Sequence, residues 1–267
     1  MTISSNLNNI ISIQKAIKLA LKSKNVTPGK GMVSYPDDIR RIQTGGDVPI
    51  IPDGTKFGWS LSVSFPAMDT SNVTDMSSFF KACYRLQYSP ELDTSNVTDM
   101  GLMFYDCRSL KSIPYMNTSN VTDMTAMFWE CRELKAIPAF DMSNVKYVYW
   151  MFYKSHIEEL PLLDMQSVVD GYLFDNSFCH KLGGFKDLKV SMSGGFIEKL
   201  DLDVDSLMNV INNLYDWSGN TDGFAPLKDG TMYDFGKSHY LKFGEENLNR
   251  LTDEQIAVAT SKGWILS

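Results

Sequence analysis

Few residues in this chain are of a type and spacing that could do chemistry. None of the three histidines, His156, His180 and His239, has a serine or cysteine partner at the spacing of a catalytic motif. Cys179 adjoins His180, but adjacent residues on an extended segment point in opposite directions. A phosphate-binding loop, a dinucleotide fingerprint and zinc-ligand spacing are absent from the sequence. The sequence therefore predicts no catalytic, cofactor-binding or zinc-binding residue. Its many carboxylates leave a glycan-processing enzyme as a remote alternative.

Composition and charge indicate a folded protein that does not bind nucleic acid. Hydrophobic residues make up 43% of the chain and charged residues 21%, a balance too apolar for a disordered protein. The formal net charge is −7, whereas binding to phosphate backbones requires clustered lysine and arginine. No stretch has the length of a membrane span, and residues 1–9 lack the features of a signal peptide. We therefore expect synthesis in the cytoplasm without a standard export leader.

A repeat of about 24 residues organises the middle of the chain. Residues 69–76 read Asp-Thr-Ser-Asn-Val-Thr-Asp-Met, and they return unchanged at 93–100 and with one change at 117–124. Two weaker copies follow. Agreement at a fixed period is typical of repeat architectures, whose units bury their apolar faces against one another. The sequence thus predicts an α/β, leucine-rich-repeat-like solenoid over residues 65–184.

Each unit is expected to contain a short helix and a short strand. Apolar residues of one unit recur at spacings of three, three, one, three and three, typical of one helix face: Val97, Met100, Met103, Phe104, Cys107 and Leu110. Ser95 or Thr98 is a candidate N-cap for that helix. Residues 110–116 alternate loosely, which predicts a short strand with Pro114 at its start or at a bulge.

Residues one repeat apart should lie above one another in columns. An asparagine column is expected to form a ladder of side-chain amides that bond the backbone of adjacent units: Asn72, Asn96, Asn120 and Asn144. A phenylalanine column is expected to form the core: Phe80, Phe104, Phe128 and Phe152. Cysteines repeat as well, and we interpret them as small buried side chains: Cys83, Cys107 and Cys131.

Two acidic columns require something that offsets the repulsion between like charges. The first contains Asp69, Asp93, Asp141 and Asp164, and the second contains Asp75, Asp99 and Asp123. Hydrogen bonds from turn N–H and hydroxyl groups are one explanation. Calcium bound between units is the alternative, although Asn117 interrupts the first column and Tyr147 ends the second.

Five aromatic residues are candidates for exposed contacts with a partner. Such rings provide a large contact area at a low entropy cost. They are Trp59, Tyr84, Tyr105, Trp129 and Trp150. Because Trp129 and Trp150 adjoin core phenylalanines, partial burial is the alternative for these two.

The repeat resembles a known family of surface proteins. Asp-Thr-Ser-Asn-Val-Thr-Asp-Met followed by Met-Phe-x-x-Cys-x-x-Leu is similar to the BspA-type leucine-rich repeats of bacterial surface proteins, over about residues 66–165. The resemblance implies adhesion or binding rather than catalysis.

The flanks of the repeats have patterns of their own. Residues 1–45 hold an amphipathic helix at 7–23 and then Tyr-Pro-x-x-Ile-x-x-Ile, which resembles a segment of tailed-bacteriophage structural proteins; an N-terminal cap is the alternative. Residues 46–64 read as a linker with a first strand. Residues 185–267 are expected to be degenerate repeats and an α+β cap, with helices at 203–214 and 251–263 and a last strand at 264–266.

Together these patterns favour a structural or binding protein without enzymatic activity. We expect a bacteriophage virion component, a fibre or decoration subunit, with a bacterial cell-surface adhesin as the alternative. Residues 7–42 would bind other virion proteins or copies of this chain in a homo-oligomeric assembly. The repeats would then contact a host-surface protein or glycan.

Overall fold

The computed structural model describes residues 50–171, 173, 179–189, 197 and 200–267. The predicted N-terminal segment at 1–45, with its helix and its attachment region at 7–42, lies outside the described residues. So does the first part of the predicted linker. None of the helices in the described part has the length and apolar character that a bilayer crossing needs.

Successive repeats pair in parallel with a register shift of one repeat. Single backbone bridges join Asp75 to Asp99, Asp99 to Asp123, Asp123 to Tyr147 and Tyr147 to Asp170. On another side of the repeats, short strands pair in the same sense: β1 (Glu159–Leu160) with β3 (Lys181–Leu182), and β2 (Leu163–Asp164) with β4 (Phe185–Lys186). The predicted repeat of about 24 residues is confirmed.

The helix predicted within each repeat was wrong. Residues 97–110 form a series of tight turns, and the described repeats contain no α-helix. Ser95 and Thr98 therefore cap no helix: the Thr98 N–H donates instead to the carbonyl of Thr74, one repeat earlier, at 2.9 Å. The strand predicted at 110–116 is reduced to a single bridge between Ser112 and Tyr88.

An alternation of backbone hydrogen bonds explains why the turns replace a helix. The N–H groups of Leu102, Phe104 and Asp106 donate to carbonyls of the next repeat at 2.6–3.0 Å. The intervening N–H groups of Met103 and Tyr105 donate within the repeat, three residues back, at 3.2 and 3.1 Å. An α-helix would use all of these donors internally and leave none for the neighbouring repeat.

The alternation requires left-handed backbone at residues other than glycine. Leu102 and Asp106 have φ angles of 59° and 61°, and the equivalent residues of the other repeats share the conformation: Ser78, Ala82, Ala126, Glu130, Trp150 and Lys154. Each such residue costs on the order of 1–2 kcal/mol relative to right-handed backbone. Hydrogen bonds between repeats offset that cost, because every unit satisfies its neighbour's donors.

A row of phenylalanine rings forms the centre of the core. Phe80, Phe104, Phe128 and Phe152 are fully buried, and consecutive ring centroids lie 5.6–5.8 Å apart with nearly parallel planes. Phe57 extends the row, since its ring stacks on Phe80 at 6.0 Å. Aromatic pairs of this kind contribute about 0.5–1.5 kcal/mol beyond their buried area.

The C-terminal part forms the two helices and the last strand that the sequence predicts. Helix α1 spans Val204–Asn213, and its N-cap Asp203 accepts the N–H of Ser206 at 2.7 Å. The short helix α2 spans Glu245–Leu248. Helix α3 spans Asp253–Ser261 and begins with a capping box between Thr252 and Gln255.

Four strands accompany these helices. Strands β5 (Phe224–Pro226) and β6 (Met232–Asp234) form an antiparallel hairpin, and β7 (His239–Leu241) pairs in parallel with β8 (Trp264–Leu266). Lys262 connects the unit to α1, because its ammonium donates to the carbonyl of Asn212 at 2.7 Å. The C-terminal unit thus caps the exposed carbonyls at the end of α1.

The left-handed residues provide a test of the turn structure. Ser78 has a φ of 59°, a conformation that glycine adopts freely and β-branched residues resist. We expect Ser78→Gly to leave the free energy of unfolding unchanged or raise it, and Ser78→Val to lower it by about 1–2 kcal/mol. Urea unfolding of both variants measures the difference.

A helix at these residues would give the opposite order, because glycine is a poorer helix former than valine. Greater stability of Ser78→Val than of Ser78→Gly would therefore contradict the turn structure.

Candidate functional site

The repeats bring aromatic side chains into a continuous surface on one side of the molecule. Lys81, Tyr105, Trp129 and Tyr153 occupy one column at steps of 24 residues. The Tyr105 and Trp129 rings stack at 5.5 Å, and the Trp129 and Tyr153 rings lie 4.1 Å apart. The Lys81 ammonium lies 5.1 Å from the centre of the Tyr105 ring. Each ring of this column thus has at least one neighbouring member of the column against it.

All five of the predicted contact aromatics lie on this surface, but they differ in exposure. Trp59 and Trp150 are exposed, at 54% and 45%. Tyr84, Tyr105 and Trp129 are half-buried. Trp59 meets Tyr84 edge-on at 6.0 Å, and Trp150 meets Trp129 edge-on at 5.7 Å. The exposed tryptophans therefore flank a more deeply set row of rings.

Charged side chains occupy the next positions of the same repeats. Arg108 donates to Asp106 at 2.6 Å, and Arg132 donates to Glu130 at 2.7 Å. Lys154 lies 4.0 Å from Glu130. The side chains of Asp106 and Glu130 are only 13% and 15% exposed, so the three cations form the outer layer above two carboxylates.

Cations also contact the ring faces. The Arg108 guanidinium lies 5.3 Å from the centre of the Tyr84 ring, and the Lys154 ammonium lies 5.1 Å from that of Tyr153. Burial raises the pKa of Tyr84 and of Tyr105, and the Asp106 carboxylate raises both further. Their phenol groups therefore stay protonated and can donate hydrogen bonds at neutral pH. We call this surface the aromatic–cationic strip; it consists of Trp59, Lys81, Tyr84, Tyr105, Asp106, Arg108, Trp129, Glu130, Arg132, Trp150, Tyr153 and Lys154.

Sequence reasoning missed seven of the twelve residues of the strip. Lys81 lies 24 residues before Tyr105, and Tyr153 lies 24 residues after Trp129. The same step from Tyr84 leads to Arg108 and then to Arg132. The repeat period was therefore the available signal, applied to surface positions as well as to core positions.

The asparagine column lies on another side of the repeats. Asn96 donates to the carbonyl of Ser71 at 2.8 Å, Asn120 to that of Ser95 at 2.7 Å and Asn144 to that of Ser119 at 2.5 Å. Asn72, which begins the column, is exposed. The neighbouring threonines bond the opposite way, because Thr94 donates its hydroxyl to the carbonyl of Asn117 in the following repeat at 2.9 Å. Both columns tie adjacent repeats together.

The acidic columns are held by hydrogen bonds within each turn. Asp93 accepts the N–H and the hydroxyl of Ser95 at 3.0 and 2.6 Å, and these bonds lower its pKa. In the second column, Asp99 accepts the N–H of Gly101 at 2.7 Å. Burial raises the pKa of Asp99, as do the like charges of the flanking Asp123 and Asp75. Among the described residues, no group of three or more acidic, histidine or cysteine side chains is placed to hold a metal ion.

The thiols are buried and hydrogen-bonded rather than exposed to a substrate. Cys83, Cys107 and Cys131 donate to the carbonyl of the core phenylalanine one repeat earlier, at 3.1–3.3 Å. Cys179 is buried as well, whereas the adjacent His180 is exposed. The two side chains therefore face different environments.

One open cleft lies between the repeats and helix α1. Its volume is about 320 Å³, and its lining includes Ile137, Leu160, Leu182 and, from α1, Asn209. The charged groups at its rim, Glu159 and Lys181, pair with each other at 3.4 Å. The cleft thus offers an apolar floor and one exposed ion pair, without a histidine or cysteine.

Comparison with known families finds a match within the repeats. The model of a family described as "Mycoplasma protein of unknown function, DUF285" matches residues 58–161. That family is leucine-rich-repeat-like, which agrees with the repeat part of the resemblance drawn from the sequence, and it has no link to bacteriophages. Comparison with curated proteins and with solved structures finds no match.

Burial of the thiols has a measurable consequence. It raises the pKa of Cys83 and of Cys179 to about 12, and it raises the pKa of Cys107 and Cys131 as well. Since the thiolate is the reactive form, we expect all four cysteines to react very slowly with a thiol reagent at pH 8 in the native protein. The same reagent should label all four rapidly in guanidinium chloride. Fast labelling of even one cysteine in the folded protein would contradict this arrangement.

Proposed function

We propose that this chain is a non-enzymatic binding protein and that the aromatic–cationic strip is its contact surface. The observation that carries the proposal is the convergence of aromatic rings and arginines from successive repeats on one side. Tryptophan, tyrosine and arginine are the residue types that contribute most to binding energy at protein interfaces. The strip also alternates apolar and charged groups, which suits a surface that is solvated until a partner covers it.

The proposed architecture is a leucine-rich-repeat-like solenoid. Parallel pairing from Asp75 to Asp170, the phenylalanine row and the family match over residues 58–161 support it. A solenoid suits binding because each repeat adds one row of side chains to an extended surface.

For the biological setting, we propose a bacteriophage particle in which residues 7–42 attach the chain to virion proteins or to further copies of itself. This part of the proposal is supported by the residue pattern of the N-terminal segment alone. A bacterial cell-surface adhesin is the second candidate, favoured by the match to a family described from Mycoplasma.

The exposed tryptophans provide the first test. We expect Trp59→Ala and Trp150→Ala each to weaken binding of the labelled protein to intact cells of the source or host bacterium by about tenfold, which corresponds to about 1.4 kcal/mol. Both side chains are at least 45% exposed, so the melting temperature should change little.

Tyr115→Ala is the matched control, because Tyr115 is 66% exposed and lies outside the strip. Unchanged cell binding of the two tryptophan variants, or an equal loss in the Tyr115 variant, would contradict a contact role for the strip.

The attachment segment provides the second test. A chain that begins at residue 50 retains every core residue described above, so we expect it to fold with an unchanged melting temperature. It should fail to join particles assembled in infected cells, as judged by immunoblotting of purified virions. Normal incorporation of the shortened chain would rule out attachment through residues 7–42.

A further inference from the structure

We infer that the aromatic–cationic strip binds an extended acidic polypeptide segment, an inference that rests on the proposed function and specifies its ligand. The strip holds four cations, Lys81, Arg108, Arg132 and Lys154, but only two carboxylates. It therefore has an excess of two positive charges on a chain whose formal net charge is −7. A local reversal of sign favours a partner of the opposite charge.

Exposure determines which of these charges a partner meets. The side chains of Arg108, Arg132 and Lys154 are 45–50% exposed, whereas Asp106 and Glu130 lie beneath them at 13% and 15%. An approaching ligand thus encounters cations first. The carboxylates below act as supports that fix the orientation of the guanidinium groups.

The arginines keep donors available for a ligand. A guanidinium has five N–H donors, and the bonds from Arg108 to Asp106 use its Nε and one Nη2 hydrogen. Planar guanidinium groups bind carboxylates with two parallel hydrogen bonds, a geometry that lysine does not provide. The protonated phenol of Tyr105 adds one further donor to the same surface, whereas that of Tyr84 bonds to Asp106.

The rings favour a polypeptide over a glycan. Sugar rings bind proteins by stacking on free aromatic faces, but Tyr105 lies between Lys81 and Trp129, and Trp129 lies between Tyr105 and Tyr153. The central rings therefore present their edges, which carry partial positive charge and attract carboxylates. Trp59 and Trp150 remain at the two ends to receive apolar side chains.

The length of the strip defines the length of the segment. Five successive repeats contribute to it, and paired backbones lie about 4.8 Å apart, so the strip extends over roughly 19 Å. An extended chain advances about 3.3 Å per residue, which gives a ligand of about six residues.

Binding to a defined probe tests the inference with the full-length protein. The probe is fluorescein-labelled octaglutamate, followed by fluorescence anisotropy, with labelled octalysine and a hyaluronate oligosaccharide of similar charge as comparison probes. We expect octaglutamate alone to bind and its affinity to fall at least tenfold when the salt concentration rises from about 0.05 to 0.3 M. Failure of octaglutamate to bind, or stronger binding of hyaluronate, would overturn the inference.

Charge variants locate the binding site. We expect Arg132→Gln and Lys154→Gln each to weaken octaglutamate binding several-fold and the double variant to weaken it at least tenfold. Glu130 keeps Arg108 at 3.8 Å in all three, so the fold should persist, as checked by thermal unfolding. Lys237→Gln, at an exposed lysine of the C-terminal unit, is the matched control. Arg132→Lys should recover part of the affinity, and equal affinities across the series would contradict the assignment to the strip.

The same variants separate this inference from the proposed function. If Trp150→Ala abolishes cell binding while the double charge variant retains it, the strip is a contact surface but its ligand is not acidic, and only the present inference fails. If neither change affects cell binding, both fail together.

Discussion

The structure depends on how each repeat divides its backbone donors. Alternate N–H groups close a turn within the repeat, and the others reach the carbonyls of the next repeat, as Met103 and Phe104 illustrate. The division fixes the register, because a slip of one residue would exchange the two sets of donors and leave buried groups unpaired. It also requires left-handed backbone at residues such as Leu102 and Asp106, which is tolerated because the neighbouring repeats hold those residues in place.

A fixed register places equal positions above one another, and this organises the surface as well as the core. In the core it stacks identical phenylalanines at 5.6–5.8 Å. On the surface it would stack like charges, and the sequence counters this in two ways. In the aspartate columns each carboxylate is satisfied by its own turn, as Asp93 is by Ser95. In the strip the two arginines of one column, Arg108 and Arg132, lie beside the carboxylates of the adjoining column, so that Arg108 meets both Asp106 and Glu130.

Most of the architecture follows from the sequence, and the exceptions have physical causes. The period, the buried columns and the C-terminal helices were predictable because exact repetition and capping residues such as Thr252 and Gln255 are local signals. The helix within the repeat was not, because a succession of tight turns repeats its apolar residues at nearly the same spacing as a helix does. The place of Phe57 in the phenylalanine row was not predicted, because Phe57 precedes Phe80 by 23 residues rather than 24. Five of the strip's six aromatic residues were predicted, but none of its charged residues was, because their place in the strip depends on the rings and ion pairs that they contact.

At the end of the repeats, the contacts with the C-terminal unit lie away from the proposed binding surface. The last repeats are joined to the C-terminal unit through Ser143 and Ser167: the N–H of Lys228 donates to the Ser167 hydroxyl at 3.1 Å, and its ammonium donates to that of Ser143. Ser95 and Ser119 are equivalent to Ser143 in the earlier repeats. Their hydroxyls donate within their own turn, to Asp93 and Asn117, and their carbonyls accept side-chain amides of the asparagine ladder. The C-terminal unit thus contacts the side of the repeats on which the asparagine ladder joins adjacent units. The strip lies elsewhere, and its side chains contact one another, so a ligand can cover it without disturbing the contacts that hold the repeats closed.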